Sequence, residues 1–326
     1  MAYYTIGDVG LILAPGAGGP RWVDLAAPGG GDGTPVGGKT VDTYSHYNSL
    51  HNHAAGESNI NTRVGNWVKR MADQAPGGGN VYTSGAQFGF FVDWTLPPRS
   101  TAGQEETTTP YVDQFTASWT NANQVELVEF VPDNFDGVNF DPAAVTNMGA
   151  AYQTVLLSLI DQWEANAVNA NRRYIIYAGW NQLNGFGGSG DDPTTVPPSG
   201  FTDWVTFGLG TYQTWMELLV SRLQGLRPAL DIRLHNVSKA VLTTFRDTAV
   251  STIPVVSLFE DLAPHGRPTW YFLAAVAEYI ELFDEKPPVG FVFDPGWGCA
   301  RHGDQQLPVD CGLHLGGAAA LATTFQ

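Results

Sequence analysis

The sequence predicts an α/β fold in which a five-stranded parallel sheet is covered by helices on both faces. Three observations carry this expectation. Five short β-prone segments alternate with long amphipathic helical segments between residues 40 and 285. The connections are long enough to be crossovers, which in a parallel sheet are right-handed. The chain is 43% hydrophobic and 15% charged, enough apolar material for a sizeable core.

The elements follow in order. Residues 1–38 hold eleven Gly and four Pro and read as an arm, with weak strand signals at Tyr3–Thr5 and Gly10–Leu13. Residues 40–48 alternate weakly and form the first strand. Ile60, Val64, Trp67, Val68 and Met71 fall at helical spacing, so a helix covers 59–75. Residues 80–83 make a short second strand and 124–131 a clearer third. Asp141 and Pro142 resemble an N-cap and a first-turn proline, opening a helix that runs to Trp163. Residues 173–178 are the fourth strand. Trp215, Leu218, Leu219, Leu223 and Leu226 mark a helix closed by Pro228. Residues 231–237 are the fifth strand, and Pro268 opens a last helix through Phe272, Val276, Tyr279, Ile280 and Phe283. The expected organisation is an arm over 1–38, an α/β domain over 39–290 and an extension over 291–326.

Charge narrows the partners. A net charge of −16 opposes binding to nucleic acid or to an anionic membrane surface. No apolar run approaches the ~20 residues that span a bilayer. The N-terminus lacks the basic start and apolar run of a signal peptide. The acidic composition suits an extracellular setting, and the Gly-rich arm with the missing signal peptide suits a larger extracellular or virion assembly, so these are favoured over a cytoplasmic setting. The arm offers a route to homo-oligomers or to a larger assembly.

In parallel sheets of this kind, ligands bind beyond the carboxyl ends of the strands. After the first strand stands Asn48-Ser49-Leu50, where a serine hydroxyl can project over the sheet edge. After the second come Ser84 and Gly85, where a glycine lets a backbone N–H approach a ligand. After the third comes Asn134, whose amide can face an oxyanion. Before the last helix come Glu260, Asp261 and His265, a base with a carboxylate to orient it. Each alone is as readily a turn or capping residue.

In this order the four positions resemble the blocks of the SGNH (GDSL-like) hydrolases, over residues 40–285. Asn48-Ser49-Leu50 is similar to the Gly-Asp-Ser-Leu block, with Tyr47 and Asn48 replacing its glycine and aspartate. Gly85 and Asn134 match the second- and third-block residues. Asp261 and His265 resemble the Asp-x-x-His block, with one extra residue between them. The resemblance implies a flavodoxin-like three-layer fold and a serine esterase acting on a small acyl ester such as a carbohydrate O-acetyl group. It further implies Ser49 as nucleophile, His265 as base and Asp261, rather than Glu260, as its orienter. The N–H groups of Ser49 and Gly85 and the Asn134 amide would receive the oxyanion, and no cofactor is required.

Other clusters leave alternatives open. His46, His51 and His53 surround Ser49 and could hold a metal for a metal-dependent hydrolase, or line the cleft with His51 touching substrate. Cys299 and Cys311 fit a hairpin disulfide worth about 3 kcal/mol. With His302 and His314 they also fit a zinc set, and free thiols remain open. The loop over 179–203 follows the fourth strand and is expected to border the site, with Trp180 and Asn181 against substrate; Trp94 is a further cleft candidate. A catalytically silent structural or binding protein on the same fold is the alternative to both hydrolases.

Overall fold

The computed structural model describes residues 2–6, 9–13, 21–24, 37–47, 51, 64–88, 125–132, 135–138, 140, 150–165, 172–247, 255, 258–263, 265–285 and 287–288. Three N-terminal strands, β1 (Ala2–Ile6), β2 (Val9–Leu13) and β3 (Arg21–Asp24), form an antiparallel sheet of their own. The expected arm therefore carries a meander. β3 escapes a sequence reading because Arg21 and Asp24 bracket only two apolar residues.

The main sheet contains β4 (Thr40–Tyr47), β5 (Val81–Phe88), β6 (Leu127–Phe130), β7 (Arg173–Tyr177) and β8 (Asp231–His235). All four pairings are parallel and the spatial order is β5-β4-β6-β7-β8. This is the flavodoxin-like order, in which the ligand crevice lies where the winding reverses, beside the carboxyl end of β4.

Six α-helices are described: α1 (Val64–Asp73), α2 (Ala150–Ala165), α3 (Pro198–Phe207), α4 (Gln213–Leu226), α5 (Val237–Asp247) and α6 (Pro268–Phe283). The period-two alternation of the strands sorts them into layers. Ile175 and Tyr177 of β7 join the core built with α1, α3, α5 and α6. Tyr174 and Ile176 join the core built with α2 and α4. The protein thus has the three-layer α/β/α architecture.

Two helices depart from the sequence reading. α3 starts inside the segment read as a loop, with Pro198 in its first turn, where the missing N–H costs nothing. A π-helical turn, Gly208–Tyr212, joins it to α4. α5 follows β8 after one residue. Its buried Val237, Val241, Leu242 and Phe245 have helical spacing, a signal hidden by reading β8 through to Val237.

The last helix fixes the polarity of the molecule. Its C-terminal end lies at the amino edge of the sheet, where Asn80 Nδ2 donates to Tyr279 Oη at 2.9 Å and Lys39 Nζ lies 3.5 Å from Glu285 Oε2. Asn80 and Lys39 immediately precede β5 and β4. Sixteen residues of helix span about 24 Å, so α6 begins near the opposite, carboxyl edge.

Candidate active site

A short hairpin delivers the chain into α6. Phe259 and Gly266 form an antiparallel bridge, Glu260 N donates to His265 O at 2.9 Å, and Arg267 N donates to Leu258 O at 2.7 Å. Asp261 organises its tip. Its Oδ1 accepts from the backbone N–H groups of Ala263 (3.0 Å) and His265 (2.9 Å), while its Oδ2 bonds the His265 ring at Nδ1. One carboxylate thus folds the turn and orients the imidazole, and Asp261, not Glu260, is the residue that bonds it. The four-residue spacing is accommodated because the turn wraps around the carboxylate.

The hairpin is anchored at the carboxyl edge by the segment after β7. Leu183 N donates to Leu262 O at 2.9 Å, and Gln182 N donates to Phe135 O, in the segment after β6, at 2.9 Å. Asp191, held at a left-handed φ of 63°, accepts from Leu262 N at 3.3 Å. The segment after β7 therefore supports the histidine hairpin.

The pair is reachable from solvent, with side-chain exposures of 37% for His265 and 21% for Asp261. The Asp261 bond raises the His265 pKa above 6.5, against the opposing effect of burial. Burial would raise the Asp261 carboxyl, but the bonds from the ring and backbone of His265 hold it below 3.8.

The other expected site residues divide. Ser49, Asn134, His53, Trp94, Cys299, Cys311, His302 and His314 lie outside the described residues. Gly85 is not beyond its strand: β5 continues to Phe88, and Gly85 pairs with Tyr44 inside the sheet, roughly 10 Å before the edge at 3.3 Å per residue. The Ser84-Gly85 pair resembled a turn, yet the ladder continues through it, so an oxyanion role for Gly85 does not hold.

Trp180 is fully buried, edge-on to Trp270 and Tyr271 at ring distances of 5.8 and 5.9 Å. Asn181 is likewise buried, and its carbonyl accepts from Trp204 Nε1 at 2.8 Å. Neither is a cleft residue; the chain turns inward after β7 before it reaches the hairpin. His51 is buried as well, 3.0 Å from Glu129 through Nε2 and edge-on to Tyr177, so it faces the core rather than substrate.

The three-histidine metal cluster is also corrected. His46 lies in β4 among the residues facing α2, stacked on Phe130 at 5.1 Å and accepting from Trp163 Nε1 at 3.3 Å. His51 packs with Glu129 and Tyr177 on the opposite face of the sheet. The sheet itself lies between the two rings.

Burial lowers the His46 pKa from 6.5 to about 3. The folded protein resists a proton that the unfolded chain accepts below 6.5. The stabilisation is complete above pH 6.5 and is lost as pH falls toward 3, by about 1.4 kcal/mol per pH unit. We expect His46→Gln, which keeps an acceptor for Trp163, to flatten the pH dependence of urea-unfolding free energy between pH 6 and 4 by about that slope. An unchanged slope would show that His46 does not govern acid lability.

No family model and no curated protein matches the chain. Solved structures of similar arrangement include the acetylxylan esterase Axe2 from Geobacillus stearothermophilus, 12% identical with a TM-score of 0.37, covering 82% of this chain and 100% of that one. The lipase Lip_vut3 from a goat rumen metagenome is 8% identical with a TM-score of 0.38, covering 76% and 98% respectively. A DUF4886 family protein from Bacteroides uniformis is 10% identical with a TM-score of 0.41, covering 87% and 96%.

Proposed function

We propose that the chain is a serine-type carboxylic ester hydrolase acting on a small acyl ester. The observation that carries this reading is the Asp261–His265 pair, part-exposed and anchored at the carboxyl edge of a parallel sheet. An imidazole whose Nδ1–H is held by a carboxylate presents an unprotonated Nε2, the atom that a general base needs. Ser49 follows β4, the strand at the winding reversal, by two residues in sequence and is the nucleophile assigned here.

In this scheme His265 Nε2 takes the Ser49 proton as the oxygen attacks the ester carbonyl, then returns it to the departing alcohol. Water, deprotonated by the same imidazole, releases the acyl group. Asn134 and the Ser49 N–H receive the oxyanion; losing one such donor typically costs about 2.7–4 kcal/mol of barrier. Among substrates we put acetyl esters first, the carbohydrate O-acetyl group included, because a bulky tyrosine, Tyr47, precedes Ser49 by two residues in the sequence.

Short-chain aryl acetates and a fluorophosphonate probe test the reading. Turnover and labelling by the wild type, both absent in Ser49→Ala at an unchanged melting temperature, are the expected result. Equal turnover by Ser49→Ala, or none by the wild type across an ester panel, would overturn it. Catalysis requires neutral His265, whose pKa is raised. The kcat/KM profile is therefore expected to rise with pH through an apparent pKa above 6.5. A plateau already reached at pH 6 would remove His265 from the role.

A further inference from the structure

A second constellation lies between the sheet and α6. Glu129 occupies the middle of β6, Glu278 the inward face of α6, His235 the end of β8, and His51 the segment after β4; all four are at most 1% exposed. His51 Nε2 is 3.0 Å from Glu129 Oε1, and His235 Nδ1 is 3.5 Å from Glu278 Oε2. One ligating atom from each of His51, Glu129 and Glu278 lies within 4.8 Å of the others. Ser45 Oγ donates to Glu129 Oε1 at 3.0 Å. The Glu278 carboxyl meets the Glu129 carboxyl, and His235 Nδ1 has no hydrogen-bond partner among the described residues.

This arrangement is costly unless something positive joins it. Two ionised carboxylates side by side in an apolar layer would each lose several kcal/mol of hydration, so the pair must share either a proton or a cation. A buried polar side chain without a partner needs a physical reason. The donor chemistry supplies one. Imidazole nitrogen together with carboxylate oxygen suits a borderline first-row divalent ion.

We propose that His51, Glu129 and Glu278 form a buried site for one divalent cation of the zinc class, with His235 adjoining it 3.5 Å from Glu278. With every donor residue at most 1% exposed, it is a structural site rather than one open to substrate. It joins β6, α6 and the segment after β4, beside the end of β8. Because His51 is two residues from Ser49, the ion would also fix the end of that segment. The inference stands independently of the esterase reading.

Metal content of the full-length protein tests it. After exposure to zinc and exhaustive dialysis, we expect about one equivalent per chain, lost in Glu278→Gln and retained in Cys299→Ser/Cys311→Ser. Cobalt(II) bound to the wild type is expected to give the intense visible absorption of a tetrahedral ion without thiolate charge-transfer bands. That readout keeps the test decisive if Glu278→Gln fails to fold. Chelation is expected to lower the melting temperature and zinc to restore it. Zinc kept by Glu278→Gln but lost by the double cysteine variant, thiolate bands in the cobalt spectrum, or no retained metal with no melting shift would each overturn the proposal. In the last case the carboxyl pair holds a proton instead.

Discussion

Replacing Asp261 by Asn is expected to lower kcat/KM on a short-chain aryl ester by about 10⁴-fold while leaving the fold intact. The two oxygens of Asp261 have separate duties. Oδ1 accepts from the Ala263 and His265 backbone N–H groups, and Oδ2 meets the His265 ring at Nδ1. An asparagine retains an oxygen for the backbone pair, so the turn that delivers His265 persists. Its NH₂ then faces Nδ1, which must become the acceptor, and the proton moves to Nε2. The ring can no longer take a proton from Ser49. The same change removes the main influence holding the His265 pKa above 6.5, so its NMR titration midpoint is expected to fall. Asp261→Ala is the contrast: it strips both duties and is expected to lower the melting temperature as well. Activity within tenfold of wild type in a folded Asp261→Asn protein would show that His265 is not oriented by this carboxylate, or is not the base.

The Asp261–His265 pair was legible because it is local. Both residues sit in one hairpin, and a base preceding a helix with a carboxylate four residues earlier is visible without knowing the fold. Residues whose meaning depends on tertiary placement were not legible. Trp180 and Asn181 follow β7, where an edge position is the natural expectation, but their path turns inward before Leu183 meets Leu262. His46 and His51 look like neighbours in sequence, yet the ladder of β4 commits His46 to the α2 side. Glu278 carried a readable sign: a carboxylate in the apolar run of α6, at a position that faces the sheet.

The fold was legible where hydrophobic periodicity runs long. α4 and α6 were expected close to their observed bounds, and the five strands of the main sheet were all anticipated. What escaped was punctuation that tertiary packing overrides. The Ser84-Gly85 pair looked like the end of β5 but continues it against Tyr44. Pro197-Pro198 looked like loop but opens α3. α5 was absorbed into the strand before it, because a single residue, Asn236, separates them.

Trp180 is a core residue rather than a cleft residue. Trp180→Ala is expected to cost about 3–5 kcal/mol of unfolding free energy. The indole is fully buried and packs edge-on against Trp270 and Tyr271, both on α6 just beyond the His265 hairpin. Trp270 also meets Phe259 and Phe245 at ring distances of 4.6 and 6.1 Å, so a void left by Trp180 opens at the centre of a packed aromatic cluster. Interiors at this density collapse only partly around a missing ring, and the lost dispersion contacts add to the lost transfer energy. Domains hold only about 5–15 kcal/mol in total, so the variant is expected to unfold at markedly lower urea. Trp180→Phe keeps most of the volume and is expected to lose much less. The alternative, a tryptophan stacked on substrate, makes the opposite forecast: a raised KM with stability unchanged. Equilibrium unfolding in urea, set beside KM on the same preparations, separates the two. A Trp180→Ala protein within about 1 kcal/mol of wild type would return this residue to the cleft.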